Sequence, residues 1–358
     1  MKKLDLKEGI IRGTPMYICA LVLMTAVLIL SILYAVTVGS ADLSIKEVYQ
    51  ILAYRLFRIG DPEVMGKGAI HDIVWLIRLP RIILAVGVGA GLSVVGVVMQ
   101  AIVQNPLADP YILGISSGAS LGATVTILLG IGTLGSASLG FGAFLGAMVV
   151  AFLVIAVANI GGRTTSVKLV LSGVAFSSMC SAFCNLIVYL ADDPERFRNA
   201  TFWLMGSLAG ADWKSNTWIL VVVAISTLFF LSQSRILNLM LLGDDTAITL
   251  GTNLTVYRQL YLIVASLTVG FVVFASGAIG FVGLIIPHFV RELFGVDHRK
   301  LLPLSAITGS VFVIWADVVA RTILRHSEIP IGVLISVVGA PIFIFLLLKR
   351  TNSFGGGT

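Results

Sequence analysis

Asp317 is the one acidic side chain inside a long apolar run, and Arg321 follows it four residues later. A carboxylate within a membrane span is by default a functional suspect, as in proton relays. The i, i+4 spacing puts both groups on one helix face, where an ion pair can form. Two readings follow, a structural Asp317–Arg321 pair or a site for a coupling ion. Ser178, Ser181 and Asn185 recur at i, i+3, i+7 and share a helix face. Such a stripe either lines a water-filled path or, like other small residues in spans, lets helices approach closely. Cys180 and Cys184 are also spaced i, i+4, which reads as a soft-metal site or as small buried packing residues.

Other chemistry is missing from the sequence. There is no GxxxxGK[ST] loop to cradle nucleotide phosphates. The acidic pairs Asp192–Asp193 and Asp244–Asp245 lack an acidic partner at helical spacing, so neither resembles a Mg²⁺–diphosphate motif. His71, His288, His298 and His326 are dispersed with no HExxH, and the three cysteines form no CxxC. No catalytic constellation, metal site or cofactor of the chain's own is expected.

The elements that must position these residues are read from composition. Of 358 residues, 58% are hydrophobic and 12% are charged, and the mean hydropathy is +1.02. Soluble domains carry about a quarter charged residues, so the apolar side chains here must face lipid as well as one another. The +6 net charge comes from scattered basic residues without a stripe, which argues against nucleic acid as a partner.

A spanning helix needs about 20 apolar residues. Met16–Val38 is charge-free and too long for the core of a signal peptide, which runs about 7–15 residues. Ile82–Val103 makes a second span, and Pro110–Gly162 a third and fourth with a turn in the Gly-rich stretch Gly130–Gly142. Leu169–Leu190 and Ser215–Ser234 are the fifth and sixth. Gln259–Val290 divides at Gly277, Gly280 and Pro287 into a seventh and a short eighth. Leu301–Leu324 and Ile329–Leu348 complete an all-α membrane protein of about ten helices.

An even count puts both termini on one side, and the basic residues divide nearly evenly between the two sides, so charge gives little orientation. Residues 1–358 read as a single membrane domain with an N-terminal tail 1–15, a loop segment at about 235–257 and a short tail 351–358. In the loop, Asp244 or Asp245 can cap a short helix and Gly251 can end it.

Several motifs in order then resemble one family. They are Arg78-Leu-Pro-Arg81, Asn105-Pro-Leu-Ala-Asp-Pro110 and Leu113-Gly-Ile-Ser-Ser-Gly-Ala119, then Phe202-Trp-Leu-Met-Gly-Ser-Leu208 and Leu242-Gly-Asp-Asp-Thr-Ala247 with Leu250-Gly251. The stretch Gly277 to His288, Asp297-His-Arg299, Ala316-Asp317 with Ala320-Arg321, Glu328-Ile-Pro-Ile-Gly332 and Gly339-Ala-Pro341 follow. Over residues 78 to 350 the sequence is similar to the permease subunits of type II ATP-binding-cassette (ABC) importers for iron-siderophores, haem and vitamin B12.

The resemblance implies a bacterial or archaeal cytoplasmic-membrane subunit, with both termini inside, paired as a homodimer or with a close relative. Two ATPase subunits would hold ATP and Mg²⁺ and dock at Leu242, Gly243, Asp244, Asp245, Ala247, Leu250 and Gly251. A substrate-binding protein outside would offer acidic residues to Arg78, Arg81 and Arg321, whose other reading is anchorage of helix ends by snorkelling. The path would run along the dimer axis past the fifth helix, with Ser178, Ser181 and Asn185. A ferric siderophore or haem leads as cargo, with a corrinoid as the alternative; an ion-coupled secondary transporter is the rival class. With no phosphate-binding loop, the purified chain alone should release no phosphate from ATP. Turnover by the isolated subunit in a phosphate-release assay would overturn this reading.

Overall fold

The computed structural model describes residues 13–39, 41–128, 136–160, 166–190, 193–324 and 327–354, and every regular element among them is helical. The basic residues Lys2, Lys3, Lys7 and Arg12, together with Arg163, Asp192, His326 and the tail from Gly355, lie outside the described residues. In chain order the elements begin with α1 (Thr14–Thr37), α2 (Ile45–Phe57), α3 (Pro62–Met65) and α4 (Ala69–Asp72). A π-helical stretch, Ile73–Arg78, leads into α5 (Leu79–Val103). A 3₁₀ turn at Pro110–Leu113 precedes α6 (Ile115–Leu128), α7 (Ser136–Asn159) and α8 (Ser166–Tyr189). Then come α9 (Pro194–Leu204), α10 (Trp213–Ser232), α11 (Ser234–Met240), α12 (Asp244–Thr249) and α13 (Leu254–Ser276). The chain closes with α14 (Val282–Phe294), α15 (His298–Thr322) and α16 (Ile331–Phe354).

Among the described residues, seven helical stretches are long and apolar enough to cross a membrane: α1, α4 through α5, α7, α8, α10, α13 and α15. Shorter apolar helices lie in α6 and α16, and α14 falls where the short eighth span was expected. The expected turn at Gly130–Gly142 ends earlier than the sequence suggests, because α7 already begins at Ser136; the rest of it lies outside the described residues. Residues 41–80, between the first two expected spans, are largely helical and anchored to the bundle. There Arg55 Nε donates to His71 Nε2 at 2.9 Å, and Trp75 packs on Trp213, whose indole N–H donates to the Trp75 carbonyl at 2.8 Å.

α5 is the centre of the bundle, with almost every residue buried. It can be central because its glycines remove the side chains that would hold neighbours away. A Cβ on Gly96 would collide with the carbonyl of Gly283 on α14, and one on Gly89 with the carbonyl of Gly309 on α15. α10 is fixed against the start of α5 by Asn216, whose amide donates to the Pro80 carbonyl at 2.6 Å. Its own start is capped by Asp212, which accepts from the backbone N–H of Lys214 and Ser215. Burial works against the Asp212 carboxylate, but the N–H donors of Ser215 and Lys214 outweigh it and hold its pKa below the usual carboxylate range.

Two ends of the bundle are distinguishable by what they carry. Arg78 and Arg81 begin α5, whereas Gln104, just past its C-terminus, donates to the Met240 carbonyl on α11 at 3.0 Å. The 25 residues of α5 therefore separate an arginine face from a face carrying α11 and α12 by about 37 Å. Lys300, at the start of α15, lies 6.0 Å from the Tyr17 ring, so α1 begins on the α12 face. Gly96→Val should lower the melting temperature in detergent, because overpacking a tight helix contact costs about 1–3 kcal/mol. Gly280→Ala serves as the control, since a Cβ there meets nothing within 4 Å; equal melting of the two variants would exclude the α5–α14 approach as the constraint.

Candidate functional site

On the arginine face, five charged side chains meet. Arg81 Nε donates to Asp317 Oδ1 at 2.8 Å, and its Nη1 donates to Glu328 Oε2 at 2.8 Å. Arg321 Nε lies 3.4 Å from Asp317 Oδ2, an ion-pair distance without hydrogen-bond geometry. Instead its Nη2 donates to the carbonyl of Ala35 at 2.7 Å. Arg78 donates to the carbonyls of Val36 at 3.1 Å and Thr37 at 2.9 Å, and to that of Ala41. The last turn of α1 leaves carbonyls without helical partners, and two guanidiniums supply their donors. Cations also suit the negative end of that helix.

This arrangement alters the sequence expectation in two ways. The firm partner of Asp317 is Arg81, 236 residues away, with Arg321 second. Arg78, Arg81 and Arg321 are all buried with acceptors of their own. For them to grip carboxylates of another protein, they would have to leave these partners. Sequence reasoning missed Glu328, although it stands in one of the recognised motifs.

Between α6 and α8, a partly open chamber of about 210 Å³ is lined by Tyr111, Ser116, Ser117, Ser120, Ser181, Cys184, Asn185, Leu204 and Ala278. Two of the three residues of the α8 stripe thus reach the cavity. Ser178 is not among the lining residues and donates to the Val174 carbonyl of its own helix at 3.0 Å, although all three residues of the stripe are exposed. The opposite wall comes from α6, where Ser116 and Ser120 are one turn apart, a spacing that could have been noticed. Tyr111 Oη and Ser116 Oγ are buried without a hydrogen bond of good geometry, so the chamber retains unused polar capacity. Its wall holds hydroxyl, amide and thiol groups and no charge. Cys184 belongs to this wall, and among the described residues no group of three or more His, Cys, Asp or Glu could hold a metal ion.

On the α12 face, the short helix is built differently from expectation. Gly243 occupies the N-cap with φ 91°, and no side chain caps the helix. Asp244 and Asp245 stand inside the first turn, where their charge favours the positive helix end. The close of the helix follows the expected route. Gly251, with φ 76°, donates to the Ile248 carbonyl and Thr252 to that of Ala247, each at 2.9 Å, the paired bonds of a Schellman ending. Ala247 faces inward and is fully buried, so a bulky charge there would disturb the fold rather than a surface. Ile248 and Leu250 are exposed and form the apolar outer side of the helix. Leu242 and Gly243 lead into it and are half-buried.

Among the described residues the chain is an all-helical membrane bundle with an uncharged chamber and a short helix on a connecting loop. Residues 27–349 match the FecCD transport family, and the chain belongs to that family of ABC importer permeases. It is 38% identical over 328 residues to an uncharacterised ABC transporter permease, YvrB, of Bacillus subtilis, covering 90% of this chain and 91% of that one. It is 42% identical over 279 residues to the cobalamin import permease BtuC of Halobacterium salinarum, covering 78% of this chain and 74% of that one. Among solved structures, a metal-chelate type ABC transporter in an inward-facing conformation matches with a TM-score of 0.78 and 32% identity, covering 93% of this chain and 99% of that one.

Leaving one partner of a buried ion pair alone costs about 3–5 kcal/mol, whereas replacing both by apolar groups costs far less. Arg81→Met and Asp317→Leu should each destabilise the subunit strongly in detergent unfolding, and the double variant by less than the sum. Additive effects would mean that the two side chains act independently.

Proposed function

We propose that this chain forms the membrane path of an importer for a bulky metal chelate, of the class of ferric siderophores, haem and corrinoids. The observation that carries the reading is the uncharged chamber reached by Ser181 and Asn185. Hydroxyl and amide groups let a large polar chelate pass through weak hydrogen bonds, where a fixed charge would hold it. The cobalamin permease among its relatives supports a corrinoid as cargo equally with a ferric siderophore or haem. The metal-chelate transporter of like structure supports the class as a whole, ferric siderophore and haem included.

In this reading two copies, or one copy and a close relative, pair around the path. Two ATPase subunits carrying ATP and Mg²⁺ dock on the exposed side of α12, at Ile248 and Leu250. Both chain ends and α12 then lie in the cytoplasm, and a substrate-binding protein docks on the arginine face. There Glu328, 44% exposed at its side chain, is the carboxylate of the cluster open to exchange, whereas Asp317 is 1% exposed. An acidic lobe of the binding protein would take the place of Glu328 on Arg81, with Arg78 and Arg321 alongside. Such a contact weakens with ionic strength. Asp317 is matched by two arginines, which argues against its serving as the ion site of a secondary transporter.

Vesicles containing this chain, its ATPase and its binding protein test the reading. Enclosed ATP should drive accumulation of cyanocobalamin or of a ferric hydroxamate, and a sodium or proton gradient without ATP should not. Gradient-driven uptake in the absence of ATP would reject the proposal. The binding protein should show a saturable rise in melting temperature with one chelate class, which names the cargo.

A further inference from the structure

Arg258 lies just past the first turn of α13 and is almost fully buried, at 1% exposure. Its guanidinium reaches back to α12 and grips Asp244 with both arms, Nη1 donating to Oδ2 at 2.8 Å and Nη2 to Oδ1. A planar fork on a carboxylate fixes direction as well as distance. Asp244 is nearly half exposed, at 43%, so a buried cation anchors a surface helix. Burying an arginine is expensive, and an apolar residue would serve stability at least as well. What the fork adds, beside the short loop and the buried Ala247 that also hold α12, is a directional joint between this surface helix and α13.

The same end of α13 is tied in two further places. Tyr261 donates to Gln233 Oε1 at 3.1 Å, and Gln259 donates to Asn159 Oδ1 on α7 at 3.2 Å. From there α13 runs for 23 residues, about 34 Å. At its far end the N–H of Ser207 donates to the Ser276 carbonyl at 2.8 Å. Gly277 follows with φ 64°, so close to the Trp203 carbonyl that a Cβ would not fit. The next residue, Ala278, stands on the chamber wall with Leu204. Both ends of α13 are therefore gripped, one by α12 and the other by the segment that walls the chamber.

We infer that Arg258 is a positioning residue that joins α12 and α13 into one strut, through which movement of the ATPase-facing helix reaches Ala278 and Leu204 at the chamber. The inference rests on α12 being the ATPase contact. It deepens that reading by naming how force leaves the contact.

The test uses the complete complex of this chain, its ATPase and its binding protein in vesicles, with cyanocobalamin or a ferric hydroxamate as the transported probe. Asp244→Asn and Arg258→Gln are compared with the unmodified chain for two quantities, the ratio of co-purified ATPase and the chelate taken up per ATP hydrolysed. Arg258→Gln should retain the ATPase at the unmodified ratio, and uptake per ATP should fall about fivefold in both variants. A purely structural role lowers the amount of complex but leaves that quotient unchanged, and an unchanged quotient in both variants overturns the strut. Loss of the ATPase from Asp244→Asn would assign the carboxylate to docking and equally reject it. Failure of the unmodified chain to retain an ATPase would instead sink the reading of α12, and the strut with it.

Discussion

A charge taken into an apolar medium must bring its counter-charge and its hydrogen bonds with it, and the Arg81–Asp317 pair is where this fold meets that demand. The pair joins α5 to α15 and recruits Glu328 from the segment ahead of α16. Arg321 and Arg78 extend the same cluster to the carbonyls that close α1. Four elements distant in sequence thus share one set of charges. Removing water from these groups is costly, so the cluster is better understood as a device that sets register than as a source of stability. A helix that slid or rotated would leave a buried charge alone. Along α5 the same register brings Gly96 against Gly283 and Gly89 against Gly309.

The two faces of the bundle use charge in different ways. On the arginine face, guanidiniums are consumed by carbonyls and carboxylates of the chain itself, and only Glu328 opens to the outside. On the α12 face, the charged joint between Asp244 and Arg258 lies at the edge of a short helix whose outer side is apolar. Between them the chamber has no charge at all. A path for a large polar molecule benefits from this division, since fixed charges hold the scaffold while the wall offers neutral donors and acceptors. α13 spans the distance between α12 and the chamber wall, and its two ends are bound by quite different interactions, a salt bridge at one and close backbone packing at the other.

The sequence by itself determined the membrane class, the apolar runs that form its long helices and the ending of α12. Each of these depends on properties that run along one dimension: the length of an apolar run against the thickness of a bilayer, or a glycine free to take positive φ at Gly251. The pairing of Asp317 with an arginine on its own helix was legible for the same reason, since four residues make one turn. Tertiary structure decided that Arg81 is the stronger partner, that Ser181 and Asn185 face Ser116 and Ser120 while Ser178 does not, and that Ala247 points inward and Leu250 outward. It also placed Gly243, rather than an aspartate, at the cap of α12. The physical reason is that a helix apolar on every side carries no stripe to say which face meets its neighbour. Its rotation, and so the company of every polar side chain on it, is settled only by close packing against helices that the sequence places far away.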